Sequence, residues 1–405
     1  MIIFIAFIAM TVPVLGFVLT LAYFNQYKRA LASALLCGLA FSAAIYGYIP
    51  DDGNDIFRHM ANLSFYEGIP LWDAFDLLKT STSHISTVYT WDLWLWIVAQ
   101  FDNPGLLQSS GAFVGYSITS YMVFDYARST HMSSKTWLPM LMAFFAFTSP
   151  LNLAIGIRNG NAFLLCVLAF YLRYFKGTSR LITIGLLVIA LLLHHSVIII
   201  ILLWLGLPFF IKNKVISMLA IIVAIISFSN YDNYFYVLNS GNDISILKST
   251  MYSAAAYQNS EFNNSLHAIV DMIWRMWGAV FLLYLTKKTV ASSNINGKNS
   301  FDSYCFNFAF FIFIISTVLL FTIGNNGFRF LNVLFILCLL LLLKNNFIFS
   351  IFKNRHIDIY SLLLFLTCLG NCIFIAYNMN WGTGSFLSIV VSSLLGYLTP
   401  IIVTF

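Results

Sequence analysis

Four short polar islands interrupt an otherwise apolar sequence, and each carries side chains able to do chemistry. The first is Asp51-Asp52-Gly53-Asn54-Asp55-Ile56-Phe57-Arg58-His59. Helical spacing puts Asp51 and Asp55 on one face with Arg58 within reach of both. That pattern suits either a carboxylate site or a solvated helix start with local ion pairs. The second, Gly156-Ile157-Arg158-Asn159-Gly160-Asn161, is a hairpin between two apolar runs. The guanidinium of Arg158 can hold two phosphate oxygens at once, helped by the backbone N–H groups that open the next helix; the bland alternative is an arginine snorkelling to lipid phosphates. The third, His194-His195-Ser196, lies inside a nearly aliphatic run. Ionisable groups are costly there and imply a cavity, with a histidine as general base or hydrogen-bond donor; the alternative is a structural histidine bonded to a nearby carbonyl. No further His or carboxylate has the spacing of a metal site. The fourth, Gly324-Asn325-Asn326-Gly327-Phe328-Arg329, repeats the logic of the Arg158 hairpin. Arg275 follows a segment with Tyr231, Tyr234, Tyr236, Tyr252 and Tyr257 and many Asn and Ser, a composition that suits sugar rings and membrane interfaces equally.

The elements that must hold these residues are membrane helices. Apolar residues make up 60% of the chain and charged residues only 9%, where a soluble domain carries roughly a quarter charged. Leu, Ile, Val and Phe dominate without period-2 alternation, which excludes a barrel and leaves helices. The expected fold is all-α: one polytopic domain over 1–405, of about 12–13 spans. The spans are predicted at 2–24, 31–49, 105–124, 136–154, 160–175, 181–193, 197–211, 215–230, 267–286, 304–322, 328–343, 357–377 and 385–404. An outer segment, 50–104, contains a helix over 86–101 whose Trp91, Trp94 and Trp96 suit the outer interface. An outer loop covers 231–266. The 31 residues of 181–211 read as two short helices meeting at the His pair, because Arg180 and Lys212 both suit the cytoplasmic side. The first apolar run lacks a basic lead and a small-residue cleavage site, so it is expected to stay as a span.

Basic residues orient the chain. Lys28 and Arg29 place the first loop inside and the N-terminus outside. Fifteen of the 21 basic residues then face the cytoplasm, and twelve of the 15 acidic ones face out. The net +6 therefore reflects topology and says nothing of nucleic acid. On this layout Arg158, His194, His195, Arg275 and Arg329 all fall on the outer face, with the 51–59 segment. Three arginines there repel one another and need an anionic partner, from local acids or from a lipid-borne phosphate or pyrophosphate. The six cysteines lie in or at the edges of apolar segments and read as small hydrophobes. There is no sequence repeat, no inverted pair of halves, and no Walker, Rossmann or HExxH pattern, so ATP-driven work is not expected.

The order Asp55-Ile56-Phe57-Arg58-His59, Gly156-Ile157-Arg158 ahead of Ala162, His194-His195-Ser196, and Arg329 opening a late span resembles the EpsG-like and Wzy-type bacterial polysaccharide polymerases over nearly the whole length. The chain departs from that family at His59, where Tyr is commoner, at Asn159, where Gln is expected, and at Asp92, where the family has Glu. The resemblance implies a GT-C-like membrane glycosyltransferase in the bacterial cytoplasmic membrane, with its site facing the periplasm or cell exterior. It implies an inverting, metal-independent transfer without cofactor. The growing chain of an undecaprenyl-pyrophosphate-linked oligosaccharide would pass onto an incoming lipid-linked repeat unit, with membrane lipid and a chain-length regulator protein as further partners. On that reading Arg158, Arg329 and Arg275 bind pyrophosphate. His195, then His194, is the base, with Asp51, Asp52 or Asp55 as the carboxylate alternative. Arg58, His59, Asn159, Asn325 and Trp91 contact substrate. A ligase using the same donor, and a flippase or transporter, are the rival readings.

Overall fold

The computed structural model of the protein describes residues 1–46, 55–74, 89–148, 153, 156–213, 215, 217–219, 221–223, 266–293, 300–323, 326–345, 347, 352–353 and 356–378. Helices account for nearly all of these; the one exception in regular structure is an antiparallel pair of two-residue strands, β1 (Phe352–Lys353) and β2 (His356–Ile357). The chain divides into two compact units, one built from 1–77, 88–195 and 348–405 and the other from 78–87 and 196–347.

The first unit opens with α1 (Ile2–Thr11) and α2 (Pro13–Tyr27), which do not form the single span expected over 2–24. Pro13 has no N–H to continue the α1 ladder and instead starts a new helix at its first position. The two helices pack on each other so closely that a Cβ on Gly16 would stand 2.2 Å from Ala9 Cα. The left-handed Lys28 (φ 51°) ends α2 and turns the chain into α3 (Ala30–Tyr46). A short helix, α4 (Asp55–Ala61), runs into a 3₁₀ turn at Asn62–Phe65. Then come α5 (Tyr89–Ala99), α6 (Gly105–Ser129), α7 (Ser134–Phe147), α8 (Ile157–Tyr174) and α9 (Arg180–Leu193), with α14 (Ile359–Asn378) returning to pack on α7.

The core of this unit is α3 against α6. Small residues let the backbones approach: a Cβ on Gly38 would meet Ser117 Oγ at 2.0 Å and the Phe113 carbonyl at 2.6 Å. The hydroxyls of Ser42 and Ser109 lie 2.6 Å apart, and Ser109 also donates to the Ser42 carbonyl. Rings fill the remaining space, with Phe41 stacked on Tyr116 and Phe24 wedged against Phe124 and Trp137.

The two ends of the unit differ. At one end the buried carboxylate of Asp125 accepts from Arg128 (3.0 Å), Lys176 (3.0 Å) and Tyr171 (2.8 Å), while Lys28 lies over the rings of Phe24 and Trp137. At the other end Asn103 donates to Tyr46 Oη, and Gln108 donates to the carbonyls of Ile45 and Tyr46. Helix α8 joins these ends: Arg158 stands in its first turn and Arg173 in its last.

The second unit holds α10 (Val197–Lys212), α11 (Leu266–Ser293), α12 (Ser300–Ile323) and α13 (Asn326–Lys344). Helices α12 and α13 form a hairpin, so Lys344 at the end of α13 pairs with Asp302 at the start of α12. Every residue from Phe330 to Leu343 except Asn332 is buried, which makes α13 the centre of this unit.

Among the described residues one helix, α12, contains an 18-residue stretch (Asp302–Leu319) long and apolar enough to cross a membrane; α1, α3, α9, α10 and Ile359–Cys372 are apolar but shorter. Helix α9 ends at Leu193 and α10 begins at Val197, so the expected break at the His pair is present. Asp51, Asp52, Asn325, the 385–404 span and nearly all of the 231–266 loop lie outside the described residues, as do the side chains of Asp55 and Arg58.

Candidate functional site

The end of the first unit away from Asp125 gathers residues from two of the polar islands around one indole, with the third close enough to feel their charge. Helix α5 turns Trp91, Leu95, Val98 and Ala99 inward, the i, i+4, i+7, i+8 spacing of one helical face, and each is almost fully buried. Polar ties hold the helix in place. Trp94 Nε1 donates to Ser110 Oγ (2.8 Å), Trp96 Nε1 to the Ile69 carbonyl (2.7 Å) and Gln100 Nε2 to the Tyr66 carbonyl (3.0 Å).

Trp91 then meets two of the predicted residues. The ring of His59, 6% exposed, approaches edge-on at 4.8 Å between centroids. The guanidinium carbon of Arg158 lies over the indole, 5.7 Å from its centroid. A cation over a tryptophan face is attracted by the ring quadrupole. The indole therefore helps to orient the arginine.

His195 completes the group. Helix α9 closes with His194 in an extended conformation (φ −156°, ψ 123°), its N–H bonded to the Ala190 carbonyl, and the next two residues turn into α10. His195 is half-buried, and its basicity is lowered first by burial and then by the positive field of Arg158. Both effects favour the neutral imidazole, the form a general base requires.

Beside the indole, Tyr66 Oη donates to Asp92 Oδ1 at 3.3 Å. Burial, and then the Asp92 carboxylate, hold the Tyr66 phenol well above its ordinary range. No local pattern links these residues, which lie 26 positions apart, and a contact of that separation has no sequence signal.

The structure thus brings together Arg158, His59, Trp91 and His195, with His194 adjacent in the chain. Trp91 is only 3% exposed, so it is a buried support for His59 and Arg158 and not an interfacial anchor. Asn159, 8% exposed, lies in the first turn of α8 beside Arg158. Arg329 stands in the first turn of α13, at the opposite end of that helix from Lys344, and Arg275 lies in the first half of α11; both belong to the second unit. Among the described residues no three His, Cys, Asp or Glu side chains gather as a metal ion would need. Comparison with family models, with curated proteins and with solved structures gives no match.

Proposed function

We propose that the chain is a multi-pass glycosyltransferase of a bacterial cytoplasmic membrane that polymerises undecaprenyl-pyrophosphate-linked oligosaccharide repeat units at the outer leaflet. The observation that carries this reading is the convergence of Arg158 and His59 on Trp91, with His195 within the field of Arg158, at the end of α8 opposite the Asp125–Arg128–Lys176 cluster. Helix α8 has 18 residues and is about 27 Å long, close to the ~30 Å of a hydrocarbon core. Exposed apolar side chains support a lipid setting: Leu181, Ile184 and Val188 on α9 are 81%, 56% and 47% exposed, and Leu202, Leu205 and Phe209 on α10 are 59%, 74% and 61% exposed. Water would penalise such a surface, and lipid would not.

The chemistry follows from what the reaction demands. Transfer of a glycosyl group from a polyprenyl pyrophosphate breaks the bond between the anomeric carbon and a phosphate oxygen, and negative charge grows on that oxygen. Arg158 meets it with a fixed guanidinium fork, pre-oriented by Trp91. The acceptor hydroxyl must lose its proton as it attacks the anomeric carbon from the opposite side, and neutral His195 takes that proton. His59 and Trp91 serve as positioning residues for the arginine. Arg329 and Arg275 keep the pyrophosphate role that the sequence motifs imply, to be tested by separate charge-preserving substitutions. The lipid carrier confines donor and acceptor to two dimensions, so the site has mainly to orient them.

Reconstitution tests the reading. Purified protein in liposomes is supplied with a lipid-pyrophosphate oligosaccharide repeat unit, without nucleotide, and the products are sized on a gel. A ladder in multiples of one repeat is expected. A single transfer to an added acceptor would instead make the protein a ligase, and movement of the intact lipid-linked sugar between leaflets would make it a flippase.

A further inference from the structure

The first two turns of α8 hold two buried amide oxygens that no part of the pyrophosphate chemistry uses. Asn161 is fully buried. Its Nδ2 donates to the Ile157 carbonyl at 2.9 Å, which fixes the orientation of the amide, since the atom facing a carbonyl must be the donor. The side chain therefore reaches back one turn towards the start of the helix, as helical side chains do. Its Oδ1 is buried there with no hydrogen-bond partner among the described residues, and the same holds for Asn159 Oδ1. Gly156, which precedes the helix, offers no side-chain cap, so the opening N–H groups are left to other acceptors.

A buried amide oxygen without a donor costs free energy that a core with a Leu at the same place would not incur. Two of them beside Arg158, at the positive end of an 18-residue helix, define a ligand with two kinds of group. The N–H groups and the guanidinium take an anion. The amide oxygens take hydrogen-bond donors within a few ångströms of that anion. A phosphate alone has no such donors. A sugar attached to the phosphate has them, as ring hydroxyls or an acetamido N–H.

We propose that Asn161, assisted by Asn159, reads the first sugar of the pyrophosphate-linked donor by accepting hydrogen bonds from its donors, and is a specificity-determining residue of the site. The proposal rests on the glycosyltransferase reading above. It accounts for why two amides occupy a helix start where any apolar residue would pack.

The test compares binding of farnesyl diphosphate with binding of farnesyl diphosphates bearing glucose, galactose or N-acetylglucosamine, using the full chain in lipid nanodiscs. At least one sugar-bearing ligand should bind more tightly than farnesyl diphosphate. Removing single hydroxyls from that sugar should weaken binding about tenfold at one position, the scale of one lost hydrogen bond to a buried group. Asn161→Leu should weaken the sugar-bearing ligand by a similar factor, leave farnesyl diphosphate unchanged, and abolish the effect of the missing hydroxyl. If Asn161→Leu does not accumulate, the wild-type hydroxyl series and Asn161→Ala carry the same comparison. If no sugar or hydroxyl matters, or if Asn161→Leu weakens both ligand types equally, the subsite is overturned while the pyrophosphate site stands. If farnesyl diphosphate and all its glycosides fail to bind, the glycosyltransferase reading itself falls.

Discussion

At the scale of single residues, the fork of Arg158 is what distinguishes the proposed mechanism from simple charge attraction. Lysine at that position keeps the positive charge and can still sit over Trp91, but it offers a point charge where the leaving phosphate needs two parallel donors. Arg158→Lys should therefore lower turnover about 100-fold, the scale of losing one preorganised donor, with normal expression and thermal stability. Polymerisation at the wild-type rate by that variant would remove the clamp. His195 gives a second test because two causes lower its basicity and one of them can be deleted. The histidine should acylate with diethyl pyrocarbonate along a pH curve whose midpoint lies below the ordinary 6.5, and Arg158→Gln should raise that midpoint. The sign for stability is fixed by the same shift. Below pH 6.5 the unfolded chain takes the proton first, so stability falls with pH down to the folded midpoint and is unaffected above 6.5. A midpoint at or above 6.5, or one indifferent to Arg158, would show that imidazole and guanidinium do not share a site. Arg158 and His195 were legible in the sequence because a lone cation or imidazole between apolar runs has few bland explanations. Trp91 was visible as a residue type, but its burial beneath Arg158 was not, since that contact joins positions 67 apart with no periodic pattern between them.

At the scale of elements, the site depends on how α8 is seated. Its start packs against α6 where Gly111 leaves no room: a Cβ there would meet the Leu153 carbonyl at 2.4 Å and the Ile157 side chain at 2.6 Å. The first of these is backbone and cannot rotate away. Gly111→Val should push the segment that carries Arg158 outward, lowering stability by ~1–3 kcal/mol and activity by more than that loss alone explains. Thermal unfolding in detergent, set against turnover at a temperature where the variant is fully folded, separates the two. Unchanged turnover would mean that α8 is not held by this contact. The sequence was uneven as a guide to elements. The break at His194–Ser196 could be read from the basic residues Arg180 and Lys212, which want the same side. The break at Pro13 was missed because the apolar run has the right length for one span and its hydropathy continues across the proline; only the close approach of Ala9 and Gly16 shows the chain folded back.

At the scale of the whole molecule, each unit carries a paired charge cluster at one end of a helix and an arginine at the other. In the first, α8 separates Arg158 from Lys176, which joins Arg128 on Asp125; in the second, α13 separates Arg329 from Lys344, which pairs with Asp302. The positive-inside layout puts Arg128, Lys176, Lys344, Asp125 and Asp302 on one side of a membrane and the two arginines on the other. A water-soluble fold would not require these pairs to segregate by side. Impermeant maleimide labelling decides whether the segregation is a membrane topology. In a background without the six native cysteines, Glu67→Cys, on the exposed turn after the 3₁₀ segment, should label in intact cells. Thr130→Cys, exposed beyond the end of α6 next to Arg128, should label only after permeabilisation. Glu67 lies one residue from Tyr66, and so reports the side on which Trp91 and Arg158 stand. Failure of Glu67→Cys to label in intact cells would place Arg158 and His195 where an outer-leaflet donor cannot reach them, and the polymerase mechanism would fail together with the topology; labelling of both positions in intact cells would overturn the topology alone.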